Sequence, residues 1–293
     1  MINQFLNYLR YERNTSPLTV QTYEESLREF ESYMSLRDDG LSLSRVDTDL
    51  IRDWMEDLMD KGNTASTINK KLSALRSFYR FALKRRLVDA DPAHCITGPK
   101  KSKPLPQFLR ESEMDNLLDT MEWGNSYSDV RARTILLLFY EAGLRRSELT
   151  GLNDADVDFN TRQLKVTGKR NKQRIIPFGD ELAQTLAHYM AVRNEQVARI
   201  EPDALFLSDK GGRMTGSQVY VIVRKYLTAV TSLKKRSPHV LRHTFATAML
   251  NNGAGLESIK NLLGHESVST TEIYAHTTFE QLKRIYKEAH PRA

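Results

Sequence analysis

Four short segments beyond residue 140 hold the side-chain types that phosphoryl chemistry on DNA needs. In Ala142-Gly143-Leu144-Arg145-Arg146-Ser147-Glu148-Leu149, Arg145 follows a Gly-Leu break after an apolar run. Lys169 lies in Gly168-Lys169-Arg170-Asn171-Lys172, between two strand-like stretches. In Ser237-Pro238-His239-Val240-Leu241-Arg242-His243, a serine N-cap and a proline at the first helical position predict a helix start. His239 and Arg242, three apart, then share a face near its N-terminus. An anion docked there would meet free backbone N–H groups, the positive end of the helix dipole and a guanidinium together. The fourth segment, Leu262 to His276, places Tyr274 nine residues after His265. Singly, each has a structural explanation: Arg145 could pair with Glu148 one turn on, His239 could sit beside a cap, and Tyr274 is one of 12 tyrosines.

Other chemistries lack their residues. His239 and His243 are four apart, as a zinc pair would be, but HExxH needs Glu where Val240 stands, and no nearby Cys or carboxylate completes a ligand set. No GxxxxGK[ST] loop surrounds Gly168-Lys169 and no GxSxG elbow occurs, so neither a nucleotide loop nor a serine hydrolase has support. No metal and no cofactor is expected. The single cysteine, Cys95, can form neither an internal disulfide nor a CxxC knuckle, which fits a reducing cytoplasm. The N-terminus lacks a secretory pattern, and no stretch approaches the ~18 apolar residues of a membrane span, so a soluble, intracellular chain is expected.

These segments need a scaffold. With 293 residues the chain is long enough for two domains, each with its own core. Residues 1–98 read as helical: an amphipathic stretch Ile2 to Arg13, a helix opened by Ser16-Pro17, one capped by Asp47, and one after Gly62-Asn63-Thr64. The last directs Ile68, Leu72, Leu75, Phe78, Tyr79 and Ala82 inward and carries Lys70, Lys71, Arg76 and Arg80 on its other faces. Three prolines, a glycine and three lysines between Thr97 and Pro106 predict a linker, set at residues 99–106. A second domain, 107–293, follows, with helices over Glu111 to Met121, Asp129 to Glu141 and Glu181 to Arg199 and further helices to the C-terminus. Its strands are expected at Gln163 to Thr167, Gln173 to Pro177 and Leu205 to Leu207. The fold class is therefore mostly α with a small antiparallel sheet.

Net charge is +6, but its placement says more. Met1 to Asp60 carries 6 basic and 13 acidic side chains, whereas Lys61 to Lys103 carries 11 and 2. A basic stretch of this kind attracts a phosphate backbone, because each neutralised phosphate releases counterions. A solvated charged face is the other reading.

Together and in this order, GLRRSEL, HVLRHTFAT and LLGHESVSTTEIYAH resemble the tyrosine recombinases of the phage-integrase superfamily, most closely the Xer-type recombinases that resolve chromosome dimers. The resemblance covers the whole chain. It implies a four-helix, SAM-like N-terminal domain binding core DNA and a catalytic domain, closing on the duplex as a C-shaped clamp. It puts the catalytic set on Arg145, Lys169, His239, Arg242, His265 and Tyr274, with Tyr274 as nucleophile forming a 3′-phosphotyrosine. Arg170 stands where many relatives have Gly, and Lys172 competes with Lys169 for the role of general acid. Lys70, Lys71, Arg76 and Arg80 become the candidate DNA-binding residues. The implied partners are a double-stranded recombination site, a homo- or hetero-tetramer with a paralogous recombinase, and an activating DNA translocase. An integrase of a mobile element remains the competing role within the class, and a DNA-binding protein without catalysis outside it. The amphipathic tail Phe279 to Ala289 could dock on a neighbouring subunit or on its own domain.

Overall fold

A computed structural model describes residues 1–38, 40–101, 105–168, 171–264 and 279–292; the chain divides into two units, Met1–Pro104 and Leu105–Ala293. In the first, α1 (Ile2–Asn7) runs into a π-helical turn, Tyr8–Glu12. The next three helices begin where capping chemistry puts them. The Ser16 hydroxyl accepts the Thr19 N–H to open α2 (Pro17–Ser35), Asp47 accepts the Leu50 N–H at 2.8 Å to open α3 (Thr48–Asp60), and Thr64 accepts the Thr67 N–H to open α4 (Ala65–Lys84). Such caps contribute about 1 kcal/mol each. The core is aromatic: Phe5 meets Phe78 edge-on at 5.6 Å, and Phe30 packs on Trp54 at 4.8 Å. Truncating one of these rings to Ala would cost about 3–5 kcal/mol, so α4 rests on a firm base.

The second unit opens with α5 (Glu111–Asp115) and a π-helical turn, Asn116–Thr120. α6 (Tyr127–Ala142) is its centre. Ile135, Leu136, Leu137, Leu138 and Phe139 are all 0% exposed, as a helix apolar on every side must be when buried. It packs against α8 (Asp180–Gln196) and α10 (Pro238–Asn251). Between α6 and α8 lie α7 (Arg146–Gly151) and the antiparallel sheet β1 (Val157–Asp158), β2 (Gln163–Thr167), β3 (Gln173–Pro177), in that spatial order. The register pairs Leu164 with Ile176 and Val166 with Arg174. α9 (Gly216–Val230), α11 (Leu256–Leu263) and α12 (Phe279–Ala289) complete the unit.

β2 and β3 lie where the sequence puts them, but Leu205 to Leu207 is not a strand. It makes only flanking bridges, Asn153 with Ala204 and Leu207 with Arg213, and the third strand is the two-residue β1. The α12 tail packs on its own unit. The Tyr286 hydroxyl donates to Glu141 Oε2 at 3.2 Å, and its ring stacks on His290 at 5.1 Å. His290 Nε2 donates to the Tyr140 carbonyl at 3.2 Å, while Arg292 donates to Glu181 at 2.8 Å and also holds Asp119.

Candidate active site

The site begins where α6 stops. Gly143 takes a left-handed conformation (φ +56°), and a Cβ there would lie 2.5 Å from the Phe245 ring, so only glycine fits both the turn and the packing. Leu144 is buried, and Arg145 then turns the chain into α7 in an extended conformation. Glu148, one turn on, accepts the Arg145 N–H at 2.8 Å and the Arg145 Nη1 at 2.6 Å. Arg145 Nη2 reaches the Gly264 carbonyl at 2.9 Å.

That carbonyl belongs to the end of α11, whose last carbonyls have no partner inside the helix. Each finds one here. The Gly264 N–H turns back on Lys260 and Asn261, with Gly264 left-handed at φ +62°. Arg174 Nε donates to Leu262 at 2.7 Å, Arg242 Nη2 to Leu263 at 2.7 Å and Arg145 Nη2 to Gly264. Three guanidinium groups therefore gather at the negative end of one helix dipole, where cations are favoured. Arg242 Nη1 also donates to the Gly143 carbonyl at 2.6 Å, tying the end of α6 to the end of α11.

Glu148 sits at the middle of the three. Arg174 grips both its oxygens at 2.9 Å, and Arg242 Nη1 lies 3.8 Å away. Burial pushes this carboxyl up, but the hydrogen bonds and charge of Arg174, followed by those of Arg145, outweigh it and bring it down to about 2. Burial, with Arg145 alongside, lowers Arg242 to about 10, so it stays charged at neutral pH. The cluster carries three positive charges against one negative. Each guanidinium has five N–H groups, and Arg145 and Arg242 retain donors beyond those bound to the described residues.

His239 follows Pro238 at the start of α10, and its ring is exposed, whereas Arg242 on the same helix is buried. Ser237 occupies the N-cap position without a side-chain cap bond. Partial desolvation, then His243, Arg242, Arg146 and Arg145, push His239 below the ordinary histidine range. At neutral pH its imidazole is uncharged and able to accept a proton. Lys169, His265 and Tyr274 lie outside the described residues. Their described neighbours in the chain are Gly168, at the end of β2, and Gly264, at the end of α11. Among the described residues, no group of three or more His, Cys, Asp or Glu side chains is placed to hold a metal ion.

In the first unit the four basic candidates divide. Lys70 and Arg80 are exposed on α4, and Lys70 shares an open cleft with Tyr23, Ser66, Asn69, Ser73 and Lys101. Lys71 pairs with Glu29 and lies over the Trp54 ring, and Arg76 donates to the Ala93 and Ile96 carbonyls, fastening the following loop to α4.

Two members of the second-unit cluster are not singled out by the sequence motifs. Glu148 figures there only as a pairing partner for Arg145. Arg174 does not figure at all, although strand alternation offers a signal: it lies across from Val166, which is 0% exposed, so it faces inward with Ile176 while Ile175 faces out.

Comparison with known proteins gives a consistent picture. Residues 107–281 match the phage integrase family, and residues 2–86 match the phage integrase N-terminal SAM-like domain. All of the chain aligns, at 37% identity, with 94% of a tyrosine recombinase XerC of Chlorobaculum tepidum. It aligns at 36% identity with 98% of the corresponding protein of Pelotomaculum thermopropionicum. A XerH site-specific recombinase, solved bound to palindromic difH substrate after cleavage, shares the fold at a TM-score of 0.73, with 22% identity over 97% of this chain and 83% of the other.

Proposed function

The chain belongs to the phage integrase family, and from that premise we propose a site-specific tyrosine recombinase of the Xer type, cutting and rejoining DNA by transesterification. The observation that carries this reading is the meeting of Arg145 and Arg242, distant in sequence, around Glu148, with guanidinium donors left over by the described residues. They supply fixed positive charge where a pentacoordinate phosphorus gathers negative charge.

In the proposed reaction the Tyr274 hydroxyl oxygen bonds to a DNA phosphorus as the bond to the 5′-oxygen breaks. The tyrosine proton passes to His239, and Lys169 protonates the departing 5′-oxygen, leaving a 3′-phosphotyrosine and a free 5′-hydroxyl. His265 hydrogen-bonds a non-bridging oxygen. A free tyrosine has a pKa near ~10, so the electropositive surround and the neutral His239 make the attack feasible at neutral pH. One phosphodiester is exchanged for another, so the reaction needs no ATP. A 5′-hydroxyl from a second duplex then reverses the step and transfers the strand through a Holliday junction.

Lys70, Arg80 and Lys101 are exposed and would neutralise a duplex backbone, which supports double-stranded DNA as the partner of an enzyme acting as a tetramer, of this chain alone or with a paralogue, and activated by a DNA translocase. Resolution of chromosome or plasmid dimers in the cytoplasm at cell division is the role that fits. No helix among the described residues is long and apolar enough to cross a membrane.

The test is incubation with a nicked suicide substrate followed by denaturing electrophoresis. A covalent protein–DNA adduct is expected, and it should vanish in Tyr274→Phe while DNA binding persists. An adduct that survives this substitution removes Tyr274 as nucleophile.

A further inference from the structure

Arg174 is the member of the arginine cluster that the reaction leaves without a role. Its three nitrogens are all engaged by protein: Nε by the Leu262 carbonyl, Nη1 and Nη2 by the two oxygens of Glu148. This planar fork is a geometry that lysine cannot reproduce. Two glycines border it. A Cβ on Gly264 would lie 3.2 Å from Arg174 Cδ and Nη1, and one on Gly168 would lie 3.4 Å from Glu148 Oε1 and 4.0 Å from Arg174 Nη1. The Gly168 N–H donates to the Lys172 carbonyl at 2.8 Å, closing the base of the hairpin turn. The side chain is 13% exposed and lies where β3, α7 and the end of α11 meet.

The chain continues from Gly168 into Lys169 and from Gly264 into His265. Arg174 therefore bears on three members of the catalytic set by separate routes. It reaches Arg145 through their shared carboxylate, and it lies against the backbone from which Lys169 and His265 depart.

We propose that Arg174 is a positioning residue for strand cleavage, holding Glu148 so that Glu148 aims Arg145, and seating Gly168 and Gly264 against each other across its guanidinium. This rests on the recombinase reading. A role confined to neutralising the buried Glu148 would change stability and leave the chemical step intact, whereas a positioning role acts on cleavage after DNA has bound.

The experiment is single-turnover adduct formation by the full-length chain at saturating nicked DNA, with thermal melting and DNA affinity measured on each variant. Arg174→Met is expected to slow cleavage about 100-fold, the size of loss that a misplacement near 1 Å produces, with DNA affinity held within about threefold. Arg174→Lys should restore about a tenth of the wild-type rate or less, since one ammonium cannot replace the fork.

A second substrate carries sulfur in place of the bridging 5′-oxygen. A thiol has a pKa near ~8.5, so its thiolate leaves without the proton that Lys169 supplies to oxygen. On this substrate Arg174→Met should recover at least about tenfold relative to wild type, because the demand on the hairpin is gone. Cleavage by Arg174→Lys within about threefold of wild type overturns the proposal, and the same loss for Arg174→Met on both substrates overturns its hairpin arm, the seating of Gly168. If Arg174→Met does not fold, Arg174→Lys on the two substrates decides alone. A wild-type chain that forms no adduct sinks the recombinase reading as well, so the two failures are told apart.

Discussion

The molecule is strongly basic in two places, and the two use positive charge differently. On α4 of the first unit, Lys70 and Arg80 stand in solvent, while Lys71 and Arg76 are tied to a carboxylate and to backbone carbonyls. In the second unit Arg145, Arg174 and Arg242 are partly or fully buried and fastened to helix ends. An exposed charge acts through water and salt, over a screening length near ~10 Å at 0.1 M. A buried one acts at lower effective dielectric and in a fixed direction. In the proposed reading the first arrangement would draw in a polyanion without choosing where it sits. In the same reading the second would tell one phosphate geometry from another, which is what a transition state requires.

The sharpest way to break this contrast is to remove a buried arginine. Arg145→Ala or Arg242→Ala should lower the cleavage rate at saturating DNA by about 10²–10³, as losing one preorganised donor to developing charge does, while affinity falls far less. Rapid-quench cleavage set beside equilibrium binding checks this, and matched losses in the two would reduce the cluster to a phosphate anchor. Next in size, Lys70→Ala with Arg80→Ala should weaken DNA binding and lower the slope of log affinity against log salt by about 0.9 for each phosphate left unneutralised, with cleavage at saturation unchanged. A salt titration that leaves the slope as it was returns α4 to a solvated face.

Lys71→Ala and Arg76→Ala should leave that slope alone and lower the melting temperature instead, Arg76 more than Lys71 because two carbonyls lose their donor. The smallest effect separates two buried carboxylates of the second unit. Glu148 is held down at about 2, so the stability it contributes is present above about pH 4.5 and is lost as pH falls through 2. Glu141 is pushed up to about 8 by burial and then by Glu181, so its contribution fades as pH rises from about 4.5 to 8. Melting curves from pH 4 to 9 should show Glu148→Gln costing a constant amount above about pH 4.5, and Glu141→Gln gaining steadily on wild type from about pH 4.5 and levelling off above 8. Parallel curves for the two variants would contradict the opposite surroundings assigned to them.

Local chemistry was the most legible part of the fold. Ser16, Asp47 and Thr64 start their helices as capping rules require, and β2 and β3 match the alternating stretches on either side of Gly168. Leu205 to Leu207 misled because all three are buried, so the run has no alternation to separate a strand from a core loop. β1 is too short for a periodicity to show. At the site, Arg145 and Arg242 were legible from their motifs, but their surroundings were not. The sequence groups Lys71 and Arg76 with Lys70 and Arg80 outside the core face of α4, and their partners Glu29, Ala93 and Ile96 are brought in by tertiary packing alone. Arg174 hid in a strand beside a turn, where a basic residue ordinarily faces solvent.

The end of α11 has one further consequence, which concerns freedom of motion. A free arginine side chain has about 2 kcal/mol of rotamer entropy to lose when it is fixed. For Arg145, Arg174 and Arg242 most of that loss occurs when the chain folds, because the carbonyls of Leu262, Leu263 and Gly264 and the carboxylate of Glu148 already hold them. A phosphate bound there as proposed would meet guanidinium groups with little left to immobilise, so its binding energy would go to the phosphate itself rather than to ordering the protein around it.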